Sequence, residues 1–167
     1  MLTDYVVIDL EMTGLNAKTD RILEAGAARV RGNVVTATFS EIINPKRELS
    51  EKVISLTGIT NEMAVQGKEM DATLMAFLDF IGEDILVGQN VIFDYSFLKQ
   101  WAVNHKRTFE RNAVDTLKLA RKFLPQEQKK DLASLCSYFG IKRVHAHRAL
   151  DDVMETQQIF EQLQKMY

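Results

Sequence analysis

The sequence predicts an α/β domain built on a mixed sheet, with three antiparallel strands first, parallel strands after, and helices flanking them. Two observations carry this. The first third of the chain reads as strands, with a Gly32-Asn33 turn signal between two of them. From about residue 71 the apolar residues recur at helical spacing, in segments separated by short apolar runs. The length, 167 residues at 46% hydrophobic, suits one soluble domain over 1–167 with a sizeable core.

In chain order, the stretch from Val6 to Gly14 opens with an apolar run long enough for a buried strand. Ile22–Val30 is a second, whose small residues Ala25, Gly26, Ala27 and Ala28 let other elements pack closely. Val34–Ile43 is the returning strand, ended by Asn44-Pro45, and Ser50 followed by Glu51-Lys52-Val53 starts a short helix. Leu74, Phe77, Leu78 and Ile81 place a helix over 71–81. Ile85–Gly88 is a short strand, and Phe93, Phe97, Leu98 and Trp101 share one face of the next helix. Ala113–Asp115 is another strand. Helices follow over 117–124, stopped by Pro125, over 132–139, ended by Gly140, and from about Ala149 onward. Repeats, low-complexity tracts and linkers are absent from the sequence.

No apolar run is long enough to span a bilayer. The N-terminus lacks the basic start and apolar segment of a signal peptide, so a cytoplasmic location is expected. Cys136 is the single cysteine, which excludes an internal disulfide, and its apolar setting marks it as a small buried hydrophobe. The net charge is −2, but its distribution is uneven. Residues 1–98 carry 8 Lys/Arg against 15 Asp/Glu, whereas residues 99–148 carry 12 against 4. Most basic residues of the second group suit solvated helix faces; some, among Lys118, Arg121, Lys122, Lys129, Lys130, Lys142, Arg143 and Arg148, also suit the phosphate-facing rim of a cleft.

The first strand delivers Asp9 and Glu11, which alternation puts on one face. Like charges that close need a proton or a metal ion; alternatively, Glu11 marks a strand end turning into solvent. Asp94 stands at a helix start, where capping is the ordinary use. Asp152 stands in the first turns of the final helix, where the dipole favours an acid in any case. Together with a histidine, these four carboxylates form an oxygen-rich set suited to hard divalent cations rather than zinc.

Three ordered segments, Asp9-Leu10-Glu11-Met12-Thr13-Gly14-Leu15, Asn90-Val91-Ile92-Phe93-Asp94-Tyr95-Ser96-Phe97-Leu98 and His147-Arg148-Ala149-Leu150-Asp151-Asp152, resemble the motifs of the DnaQ-like (DEDDh) 3′–5′ exonucleases. Gly58–Met63 resembles a further family segment. The resemblance spans nearly the whole chain and includes the proofreading domains of bacterial replicative polymerases. It implies a ribonuclease H-like three-layer fold and a metal-dependent 3′–5′ exonuclease that releases nucleoside 5′-monophosphates from DNA or RNA. Asp9, Glu11 and Asp152 would hold one of two Mg²⁺ or Mn²⁺ ions. Asp9 would bridge to the second, held by Asp94 through water, with His147 as general base. The spacing to Asp152 favours His147 over His145. Implied partners are a nucleic-acid 3′ end, as a single strand or short oligonucleotide, and a polymerase; no membrane is implied.

Two positions depart from the family pattern. Met12 replaces a common Thr where the terminal nucleotide approaches, and Gln89 replaces a common His before Asn90. Neither removes a metal ligand. Met12, Thr13, Ile59, Asn90 and Phe93 are the expected substrate contacts, while Phe97 suits core packing equally well. A non-catalytic nucleic-acid-binding or polymerase-associated module of the same fold is the alternative, and the intact acidic set argues against it. A dinucleotide-binding Rossmann domain is disfavoured because no Gly-rich fingerprint follows the first strand.

Overall fold

The computed structural model describes residues 1–145 and 148–166. The chain runs through β1 (Tyr5–Met12), β2 (Ile22–Arg31), β3 (Val34–Ile42), α1 (Glu51–Thr57), α2 (Asn61–Val65), α3 (Met70–Ile81), β4 (Leu86–Gly88), α4 (Ile92–Asn104), β5 (Ala113–Asp115), α5 (Thr116–Phe123), α6 (Leu132–Phe139) and α7 (Ala149–Gln164). The strands form one sheet in the order β3-β2-β1-β4-β5. β1, β2 and β3 are antiparallel neighbours, and β4 and β5 add in parallel to β1. This is the mixed sheet that the sequence predicts. The β2–β3 turn is made by Gly32 (φ 56°) and Asn33 (φ 64°), the left-handed pair that a tight hairpin with native twist requires.

The two-residue period of β1 divides the core. Val6, Ile8 and Leu10 pack with Leu74, Phe77 and Ile81 of α3 and with Phe97, Leu98 and Trp101 of α4. Tyr5 and Val7 point the other way and pack with Val153 and Phe160 of α7. Tyr5 and Phe160 meet edge to face, with ring centroids 5.0 Å apart, an arrangement that contributes about 0.5–1.5 kcal/mol beyond area burial. α5 and α6 pack on α7 through Ala120, Leu124, Leu135, Cys136, Ile159 and Leu163. Cys136 is buried, and burial pushes its thiol up to about 12, as suits a packing residue.

α7 lies close to the sheet because of Gly26. A Cβ on that residue would come within 2.7 Å of the Ala149 carbonyl carbon, and no side chain tolerates that against backbone. The helix runs antiparallel to β1. Its first turns lie at the carboxyl end of the strand, and near its far end the Gln164 side chain clasps Leu2 through the backbone N–H (2.6 Å) and carbonyl (3.2 Å). Among the described residues, no helix is long and apolar enough to cross a membrane.

Candidate active site

Alternation along β1 fixes where its two acids point. Asp9 and Glu11 continue the side of the strand that carries Tyr5 and Val7, so they face α7. In register, Gly26 stands opposite Asp9 and Glu24 opposite Glu11. Asp152 descends from the first turn of α7 onto the same spot. One carboxylate oxygen from each of Asp9, Glu11 and Asp152 lies within 4.8 Å of the other two.

Asp94 approaches them from α4. It lies inside the first turn of α4, whose N-cap Val91 has no side-chain bond. Its Oδ1 accepts the Leu10 backbone N–H at 2.8 Å, so the carboxylate is tied to β1. This buried bond sets Asp94 beside Asp9, although Asp94 stands outside the three-carboxylate cluster.

The electrostatics follow from burial and like charge. Desolvation comes first in raising Asp9 well above the ordinary carboxylate range, with Asp94, Glu11, Asp152 and Glu24 adding to it. Glu11 is pushed up to about 8 by desolvation and then by Asp152 and Glu24. Asp94 is raised to about 7 by burial, against which the Leu10 N–H works. Asp9 Oδ2 is buried and makes no hydrogen bond among the described residues. A buried, unpartnered carboxylate oxygen is costly without a cation or a proton. The donor set is all oxygen, as hard divalent ions prefer. These residues therefore fit a divalent metal.

Sequence reading missed the charges that hold this cluster in place. Glu24 is buried, accepts a forked pair from Arg148 (Nη2 to Oε1 3.0 Å, Nε to Oε1 3.2 Å) and also takes the Ala149 N–H at 3.2 Å. That anchors the start of α7 to β2, immediately after His147 in sequence. Arg143 spans Asp152 (2.9 Å) and Glu155 (2.8 Å), orienting the Asp152 carboxylate from behind. A glutamate inside the apolar run Ile22–Ala28 was the available signal for Glu24.

The expected substrate contacts separate into several groups. Met12 follows a register shift in β1 and is half-buried against the α3/α4 side of the core, away from the acids. The Thr13 hydroxyl donates to Asp20 (3.1 Å) and accepts the Arg21 N–H (2.9 Å), closing the 13–21 loop. The Ile59 side chain is fully buried with Leu23, Leu49 and Ala64, which makes it a core residue. Phe97 is core as well, while Phe93 is half-buried. Asn90 is half-buried at φ 55°, its N–H donated to Asp115 at 2.9 Å. Gln89 spends its amide internally, donating to the Lys130 carbonyl at 2.8 Å and accepting from the Thr116 hydroxyl. His145 is exposed and lies 3.3 Å from Asp151. His147 lies outside the described residues.

A mixed sheet of this order, with acids gathered at the end of its central strand, belongs to the ribonuclease H-like class of folds. Solved structures agree on the fold. The zinc-bound E. coli ExoI–ssDNA complex superposes with a TM-score of 0.83 at 18% identity, over 99% of this chain and 41% of that one. Exonuclease X in complex with 5′ overhanging duplex DNA gives 0.76 at 22% identity, over 96% and 90%. The exonuclease family model RNase_T matches residues 6–160. DNA polymerase III subunit epsilon of Aquifex aeolicus is 36% identical over 157 residues, 93% of this chain and 78% of that protein. The chain belongs to this family, that of the DnaQ-like exonucleases. DNA polymerase III PolC-type of Bacillus subtilis is 38% identical over 91% of this chain, which spans 11% of that relative's length.

Proposed function

We propose that this chain is a metal-dependent 3′–5′ exonuclease that releases nucleoside 5′-monophosphates from the 3′ end of DNA or RNA. The observation that carries the reading is the convergence of Asp9, Glu11 and Asp152, with one oxygen of each within 4.8 Å of the others and a buried Asp9 oxygen that has no hydrogen-bond partner among the described residues. Asp9, Glu11 and Asp152 would hold one Mg²⁺ or Mn²⁺, with Asp9 shared toward a second ion served by Asp94. Bound there, divalent ions supply stabilisation of the negative charge that phosphodiester hydrolysis places on the attacking and leaving oxygens. Of the chain's own groups, His147 takes the proton of the attacking water, a task suited to a group titrating near neutrality. Arg143 and Glu24 keep Asp152 and the start of α7 in position. The polymerase names of the relatives support a place beside a replicative polymerase, in the cytoplasm.

The test is direct. An oligonucleotide labelled at its 5′ end should yield a ladder shortened from the 3′ end with Mg²⁺ or Mn²⁺, and EDTA should stop it. His147→Ala should lose about 10²–10⁴ in rate while retaining metal binding. Full activity in Asp9→Ala or Asp152→Ala would overturn the assignment.

A further inference from the structure

We propose that a polar cleft beside the carboxylates takes the phosphodiester backbone of the substrate strand upstream of the scissile bond, with Arg121 and Lys130 as its phosphate contacts. The inference rests on the nuclease reading above. The cleft has a volume of about 500 Å³ and is lined by Gln89, Asn90, Leu117, Arg121, Gln128 and Lys130 among others. Its position follows from the sheet. β4 and β5 run parallel to β1, and Gly88 pairs with Asp115, so Gln89 and Asn90 leave the sheet at the end where Asp9 and Glu11 stand. Neighbouring strands are about 4.8 Å apart, which puts the cleft one to two strand spacings across the sheet from Asp9. A nucleic-acid strand ending at the carboxylates spans that distance with its next phosphates.

The cleft wall is held by specific bonds. Gln89 ties the end of β4 to the Lys130 carbonyl and to Thr116 at the start of α5, fixing the 125–131 loop against the sheet. Asn90 takes a left-handed backbone, uncommon outside glycine, stabilised by its N–H bond to the buried Asp115. Asp131 also lines the cleft, but its carboxylate caps α6, accepting the Ser134 N–H (3.0 Å) and hydroxyl (2.8 Å), and these bonds hold it below the ordinary range.

Charge decides what fits. The acidic cluster repels an approaching polyanion, so a strand needs cations next to that cluster as well as any within it. Four of the twelve Lys/Arg in residues 99–148 are engaged with acids among the described residues: Lys99 with Glu110, Arg111 with Glu83, Arg143 with Asp152 and Glu155, and Arg148 with Glu24. Arg121 is exposed and has no acidic partner among the described residues. Among the described residues the Lys130 ammonium bonds a carbonyl, that of Glu127, and no carboxylate. Arginine and lysine without carboxylate partners in a polar cleft suit phosphate without reading base identity.

The experiment compares two substrates of the same sugar type, whichever the wild type degrades. One is an oligonucleotide of about ten residues; the other is a dinucleotide, whose only phosphate is the scissile one. In Arg121→Ala/Lys130→Ala, kcat/KM on the oligonucleotide should fall about tenfold, mainly through KM. Its dependence on salt should flatten by about 0.7 in the log–log slope for each phosphate no longer neutralised. The dinucleotide rate should stay as in the wild type, and Arg121→Lys should restore most of the oligonucleotide rate. An equal loss on both substrates would overturn the subsite, because the residues would then act on the reacting centre or the fold. So would an oligonucleotide rate that does not change. A wild type that degrades neither substrate would overturn the nuclease reading itself, and the subsite with it.

Discussion

One side of β1 contains two unlike regions, and a single helix covers both. At the amino end of the strand, Tyr5 and Val7 meet Phe160 and Val153 in a mainly apolar contact. At the carboxyl end, two to four residues further along the same side, Asp9 and Glu11 meet Asp152. The backbone rule is the same at both ends, since alternation aims all four strand residues at α7. What differs is the energetics. The apolar end stabilises the fold by removing surface from water. The acidic end crowds carboxylates that are desolvated and alike in charge, so it opposes the fold until a cation or protons arrive. Gly26, Glu24 and Arg148 hold the helix down against that repulsion. The fold's stability and its candidate chemistry are thus assigned to opposite ends of one interface.

This contrast is open to attack at either end. The largest effect is expected at the acidic one, where Asp9→Asn should cut nuclease rate by about 10³. The same change should raise the thermal midpoint of the metal-free protein at neutral pH, because the amide is neutral without taking up the proton that burial among acids demands of Asp9; scanning fluorimetry in EDTA reads this out. Phe160→Ala is the mirror experiment. It should cost about 3–5 kcal/mol in urea unfolding while leaving the rate per folded molecule near that of the wild type. If both substitutions destabilise equally, the two ends are not energetically distinct.

Next in size is Arg143→Ala, which frees Asp152 from behind. The Mn²⁺ concentration for half-maximal activity should rise about 10–100-fold, and Arg143→Lys should recover part of it. The pH dependence is smaller, and its sign is definite. Glu11, raised from an ordinary 4.5 to about 8, and Asp94, raised from 3.8 to about 7, favour the folded state only while protonated. That stabilisation is complete below about pH 4 and is lost as the pH climbs through 7 and 8. In EDTA, the thermal midpoint should therefore fall between pH 5.5 and 8.5, and saturating Mg²⁺ should reverse the fall at the upper end. The smallest effect is that of Glu24→Gln. It keeps an acceptor for the Ala149 N–H but loses charge toward Arg148, a cost of about 1 kcal/mol in urea unfolding.

Much of this was legible in the chain. The two-residue period of Val6–Glu11 places both acids on one side, and the five strands fall where apolar runs and the Gly32-Asn33 turn put them. Asp152 was legible through the resemblance of residues 147–152 to the family's third motif, since an acid early in a helix is ordinary by itself. What sequence could not supply is information that exists only after strands pair and helices dock. Asp94 was named as a site residue from its motif, but the bond that seats it, to the Leu10 N–H 84 residues away, was not readable. Glu24 becomes a site residue because register sets it opposite Glu11. Arg143 does so because α7 brings Asp152 and Glu155 to it. Ile59 shows the converse, since its motif position suggested substrate contact while its side chain is fully buried in the core. The short helix α2 was missed although Thr60 caps it through the Met63 N–H, because five residues are too few to show a helical period.

The measurement that bears most directly on the opposition between the two ends is calorimetric titration of Mn²⁺ into the wild type and Asp9→Asn at pH 7.5. The expected result is binding of two ions to the wild type, with proton release as Glu11 and its neighbours ionise, and loss of that binding in the variant. Absence of binding to the wild type, or equal binding to both proteins, would contradict the assignment of Asp9, Glu11 and Asp152 as a metal centre.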